Sequence, residues 1–265
     1  MNGKIFTADP DRPYAEALAT LGDKVLAVGT EAQVRKAAGK KAQVVDLGGR
    51  TLVPGINDAH LHAIVPRGLY LNSPAFVPGP GPTLSEVQAM LQAAAQGVPA
   101  GQWLFVLVGT ATLDDANANR FSLDGVTPDH PVWLQGWSGH GTVLNTKALR
   151  TLGLADDQPD PWGGSYERLP GTNTLTGVAH EYAEYLVYRA IYATMSDDEL
   201  IGRYQASAQA AVQLGFTSWQ DMAVGLPHER TVRVLRAAKL PLRVRSICFQ
   251  LTPFEGCDFQ SDAGD

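Results

Sequence analysis

Hydrophobic and polar positions change period several times along the chain, and each change predicts an element. Ile5 to Thr7 is a short β-like run. Ala15–Leu21 and Lys24–Val28 flank Gly22-Asp23 and predict a hairpin, although alanine is a poor strand former. Glu31 to Ala38 has helical composition and stops at Gly39. Gln43–Leu47 and Thr51–Val53 predict two further strands around Gly48-Gly49. Residues 1–53 therefore read as a small β-module with too few strands to close a sandwich alone. Residues 63–82 hold five prolines and predict an irregular loop. Thr83 and Glu86 form a capping-box pair ahead of a helix running to Ala95. Trp103–Val108 is a continuous apolar run, as expected of a buried strand, and Val132–Trp137 predicts a further strand.

Further on, Pro159–Gly171 reads as a loop, and Gly177–Glu181 leads into a helix running to Tyr192. Tyr185, Tyr188 and Tyr192 fall at helical spacing and read as core. A capping box at Ser196–Glu199 opens a helix to Leu214, and Gly215 ends it. The strand Phe216–Asp221, a helix over 227–239 and a strand over 242–249 follow. This helix–strand alternation is that of a parallel α/β sheet.

Composition narrows the function classes. The 265 residues are 45% hydrophobic, enough for a packed core. A formal charge of −6 argues against nucleic acid as the main partner. No apolar run approaches the roughly 20 residues of a membrane span. The two cysteines, Cys248 and Cys257, do not make a disulfide framework, so a reducing, cytoplasmic setting is expected.

The most informative stretch is Pro54-Gly55-Ile56-Asn57-Asp58-Ala59-His60-Leu61-His62. Side chains alternate along a strand, so His60 and His62 project from one face, where two imidazoles can share a divalent ion. Asp58 falls on that face by the same count and is placed to orient a histidine from behind. Two histidines so spaced are also common on solvent-facing strands. His140 lies between Gly139 and Gly141, open to a cavity or to solvent. Asp221 falls at the C-terminal end of its strand, where it is either a reactive acid or a helix cap. Glu181 is by position either a functional acid or one favoured by a helix dipole.

A PGxxDxHxH motif directly after a small β-module resembles the amidohydrolase superfamily. Asn2-Gly3-Lys4-Ile5, Ala27-Val28-Gly29 and Asp46-Leu47-Gly48-Gly49-Arg50 are similar to the first strands of its family 3, YtcJ-like branch. So are Pro131–Leu134 with Gly139-His140-Gly141, Asn145–Leu149, Thr176-Gly177-Val178 with Glu181, and Gly215–Ser218. Together these cover most of residues 2–222. The resemblance implies an α/β fold: a partial (β/α)8 TIM-type barrel over 54–65 and 196–265. Residues 1–53 would supply an N-terminal β-sandwich segment and 66–195 a large α+β insert after the first barrel strand. It implies a divalent metal at His60 and His62, most readily zinc, with manganese or iron as alternatives. Asp58 would support the ligands, and His140, Glu181 and Asp221 would lie near substrate. The reaction implied is hydrolysis of a C–N bond in a small amide, N-acyl or formamide-like substrate by metal-activated water.

Eight βα units in a barrel of ~250 residues take ~31 residues each. With 66–195 set aside as insert, the remainder supplies two to three. The expectation is an N-terminal half with little activity of its own, pairing as a homodimer or with a missing C-terminal half. A non-catalytic assembly module and a metal-dependent esterase or deaminase are the competing readings.

Overall fold

The computed structural model describes residues 1–72, 79–252 and 256. The chain forms two compact units, one of residues 1–58 with 213–218 and one of 59–212 with 219–265.

The first unit is built from short elements. Ala17–Leu21 and Lys24–Gly29 pair antiparallel, with Leu21 opposite Lys24. Gly22 takes φ 62° at the turn, a conformation costly for residues with a Cβ. The alanines that weakened the strand prediction are carried by this local pairing. Helix Glu31–Ala38 is closed by a Thr30–Gln33 capping box and stops at Gly39. Lys4–Phe6 pairs with Tyr14–Ala15 and Thr51–Leu52. Gln43–Leu47, expected as a strand, forms none. The Met1 ammonium donates to the Val45 carbonyl and Leu47 N–H to the Met1 carbonyl, so the segment is anchored without a ladder. Leu21 and Val45 remain 72% and 63% exposed.

A six-stranded mixed sheet organises the second unit, in the order Gly164–Arg168, Leu175–Glu181, Thr142–Leu144, Val132–Gly136, Leu104–Val108, Leu69–Tyr70. The last three strands pair parallel and the others antiparallel. Strand alternation splits its residues between two cores. Leu104, Val106, Val108, Val132 and Leu134 pack with Val87 and Leu91 of helix Leu84–Ala95. Phe105, Trp133 and Leu144 face the other way, onto Ala148 and Leu149 and onto Val187 and Ile191 of helix Tyr182–Ala193. Helices cover both faces, which is why Leu104–Val108 reads as an unbroken apolar run. Leu69–Tyr70 lies within the proline-rich segment expected to be irregular, and pairs with Leu104 and Phe105. Residues 177–181, read as the approach to a helix, are strand, and the helix begins at Tyr182. Pro74 and Pro78 lie outside the described residues.

A separate core gathers Leu200, Tyr204 and Ala208 of helix Asp197–Gln213 with Trp219, and Val234 and Ala238 of helix His228–Ala238. Strands Ile56–Leu61 and Phe216–Asp221 each run from the first unit into the second. Ile56 N–H donates to Gly215 and Met222 N–H to Leu61, so they advance in the same sense. Arg243–Ser246 lies on the far side of Phe216–Asp221. The fold is mixed α/β. Cys248 is disulfide-bonded, against the expectation of reduced cysteines; Cys257 lies outside the described residues. Among the described residues no helix is long and apolar enough to cross a membrane.

Candidate functional site

The strand Ile56–Leu61 sets the geometry. Leu61 packs inward against the core of Leu200, Tyr204 and Trp219, whereas His60 and His62 are exposed. The two imidazoles meet edge to face, with ring centroids 5.3 Å apart. Alternation has placed them on one face. Asp58 is half-buried, two residues before His60 in the same strand.

The orientation of His62 is set by a backbone carbonyl. Its Nδ1 lies 2.7 Å from the Met222 carbonyl oxygen. A carbonyl only accepts, so Nδ1 is the donor, and when the ring is neutral its lone pair lies on Nε2. A histidine that ligates a metal is commonly oriented in this way. Two such rings suit a divalent transition metal but supply fewer than the three protein ligands usual at a catalytic zinc. Among the described residues no group of three or more His, Cys, Asp or Glu side chains is placed to hold a metal.

Asp221 sits behind His62. It is fully buried and both oxygens are engaged: Oδ1 accepts from Ala63 N–H at 3.0 Å and Oδ2 from the Tyr204 hydroxyl at 2.7 Å. Burial pushes its carboxyl pKa up, opposed by the Ala63 N–H, the Tyr204 hydroxyl and His62. The chain thus bonds immediately after His62, at Ala63, and immediately before Met222, at Asp221.

His62 also lines a cavity of about 250 Å³. Residues 63–66 continue that wall, and 136–139 lie among the other lining residues. Tyr185, Tyr188 and Tyr192, read from spacing as core, all line it. Tyr192 donates to the Ile64 carbonyl at 3.0 Å and Tyr185 to the Gly139 carbonyl at 3.3 Å.

His140 and Glu181 come together. His140 Nδ1 lies 3.1 Å from each Glu181 carboxylate oxygen, with both side chains substantially exposed. Glu181 is the last residue of its strand and takes φ 54°, ψ −124°, a backbone conformation that L-residues rarely adopt. It precedes its helix and has no capping hydrogen bond. His180 is paired separately, with Glu167 at 2.9 Å.

In the sequence Glu184 reads as an ordinary first-turn acid, with no spacing or motif to mark it. It is 0% exposed, and neither carboxylate oxygen makes a full hydrogen bond. Burial pushes its pKa up to about 8; the Gly141 amide opposes the rise and the Glu181 carboxylate adds to it. The folded state therefore keeps a proton that the unfolded chain releases near 4.5. Stability is expected to fall by roughly 3–4 kcal/mol as pH rises from 5 to 8, and Glu184→Gln to remove most of that slope. Urea unfolding at several pH values checks this; an equal slope in the variant would refute it.

A model of the amidohydrolase family matches residues 43–261, most of the chain. The chain belongs to the amidohydrolase family. It is 31% identical over 258 residues to an N-substituted formamide deformylase of Arthrobacter pascens, covering 93% of this chain and 46% of that protein. It is 26% identical over 204 residues to the putative amidohydrolase YtcJ of Bacillus subtilis (strain 168), covering 71% of this chain and 36% of that one. The crystal structure of an uncharacterized metal-dependent hydrolase from Pyrococcus horikoshii superposes with a TM-score of 0.59 at 19% identity, over 93% of this chain and 47% of that chain. That likeness is one of fold. The chain spans about half the length, or less, of the curated relatives it matches.

Proposed function

We propose that this chain is part of a metal-dependent amidohydrolase that cleaves a C–N bond in a small amide, N-acyl or formamide-like compound. The observation that carries the reading is the His60–His62 pair, edge to face at 5.3 Å, with His62 Nδ1 tied to Met222 beside a cavity. His60 and His62 would hold the ion, zinc by preference, with manganese or iron as alternatives. A bound divalent ion supplies Lewis acidity and lowers the pKa of water toward neutrality.

The chain's own residues do the rest. The Met222 carbonyl fixes the His62 tautomer, and Asp221 with Tyr204 holds the backbone beside it. Residues 136–139, which lead to His140, line the cavity and keep the His140–Glu181 pair a substrate-proximal candidate. Asp58 is proposed to support the ligands from its own strand. Membership of the family and 31% identity to a formamide deformylase favour the C–N bond.

In the same reading Ile56–Leu61, Phe216–Asp221 and Arg243–Ser246 are the opening strands of a (β/α)8 barrel, residues 66–195 an α+β insert, and 1–53 a β-sandwich segment. The parallel strands with intervening helices support it. Further ligands are proposed to join His60 and His62 in the whole protein, since two rings fall short of the three protein ligands usual at a catalytic zinc.

The test is release of amine or formate from simple amides and N-alkylformamides by chain loaded with zinc, manganese or iron. Turnover is expected to be low, to need metal, and to vanish with chelator. Turnover that survives chelation, or a chain that takes up no metal, would overturn the reading.

A further inference from the structure

Two polar side chains stand out in the wall of the His62 cavity. The lining is otherwise dominated by aliphatic and aromatic groups, and no carboxylate, lysine or arginine is among its lining residues. Tyr70 lines it, and its hydroxyl is buried without completing a hydrogen bond. Gln135 lines it too, 4% exposed, in the otherwise apolar strand Val132–Gly136. The Gln135 amide is near enough to the Tyr70 phenol to oppose the rise in its pKa that burial causes. The Tyr70 ring is fixed by stacking on buried Phe105, centroids 4.8 Å apart.

A buried hydroxyl that completes no full hydrogen bond is costly, and an amide beside it in an apolar wall is out of place unless a further polar group meets them. Both are expected where a ligand completes their bonding, in an apolar pocket with a few convergent polar groups. A secondary amide presents one acceptor and one donor. A phenol O–H donates to the first; a glutamine carbonyl accepts from the second. A charged substituent would find no fixed counter-charge among the lining side chains.

We propose that Tyr70 and Gln135 are specificity-determining residues that grip the uncharged amide group of the substrate, with its apolar N-substituent against Tyr185, Tyr188 and Tyr192. The choice of an amide rests on the function proposed above; the preference for an uncharged, apolar ligand rests on the cavity alone.

The test is a binding titration of the metal-free 265-residue chain with N-butylformamide and with N-formylglycine, followed by saturation-transfer NMR and by tryptophan fluorescence, Trp137 being a lining residue. N-butylformamide is expected to bind, and N-formylglycine at least tenfold more weakly. Tyr70→Phe, which keeps the stacked ring, and Gln135→Met, which keeps the volume, are each expected to weaken N-butylformamide roughly five- to tenfold with an unchanged circular dichroism spectrum. Equal affinity in both variants, equal affinity for the charged compound, or no binding by wild type would overturn the proposal. Metal uptake, titrated separately, reports on the hydrolase reading, so the two fail independently.

Discussion

Replacing His60 or His62 by asparagine is expected to weaken divalent-metal binding by at least about 100-fold, measured by competition with a chromophoric chelator. The two rings share one face of the strand end, 5.3 Å between centroids. Removing either leaves one imidazole where a catalytic ion normally has three protein ligands. Loss of a group that merely orients a ligand already costs 10–100-fold in metal affinity, so loss of a ligand itself costs more. Asparagine keeps a polar group at an exposed position, so folding should hold and the readout should be affinity alone. His180→Asn is the control: that ring is committed to Glu167 at 2.9 Å, and its loss should leave metal binding unchanged. Wild-type affinity in both His60 and His62 variants would remove the metal from the account of this chain.

Much of the fold can be read from local pattern because local physics decides it. The Thr83–Glu86 capping box closes its helix as expected, and the helix Glu31–Ala38 ends at its glycine. Leu104–Val108 is unbroken apolar sequence because both of its faces are covered. Where the pattern misleads, the deciding partner is distant. Gln43–Leu47 has strand composition, yet its backbone bonds go to Met1. Leu69–Tyr70 is hidden by neighbouring prolines and becomes strand only because Leu104–Phe105 offers an edge.

The site divides the same way. His60 and His62 are two residues apart, and strand geometry alone puts them together. His140 and Glu181 are 41 residues apart, and their pairing is invisible until Thr142–Leu144 and Leu175–Glu181 lie side by side. Spacing tells that Tyr185, Tyr188 and Tyr192 share a helix face, but not that this face lines a hollow. Glu184 has the composition of a solvated first-turn acid, and only packing buries it.

Asp221→Ala is expected to destabilise the chain by roughly 2–5 kcal/mol in urea unfolding followed through buried Trp219. The carboxylate lies in a dry interior and accepts two hydrogen bonds, from Ala63 N–H at 3.0 Å and the Tyr204 hydroxyl at 2.7 Å. Truncation strands both donors, each at about 1–3 kcal/mol, and water has no route to replace the lost acceptor. Tyr204→Phe removes one bond while leaving Asp221 the other, and should cost less, about 1 kcal/mol. The larger loss carries a functional consequence. Ala63 follows His62 directly, and Met222, whose carbonyl holds His62 Nδ1, follows Asp221 directly. One carboxylate therefore braces the backbone on both sides of that imidazole. Asp221→Asn is the sharper test: the side chain still accepts from one donor but turns an N–H toward the other. It should stay folded, with metal affinity down 10–100-fold through a loosened His62. A folded Asp221→Asn with wild-type affinity would confine Asp221 to stability and leave the placement of His62 to Met222 alone.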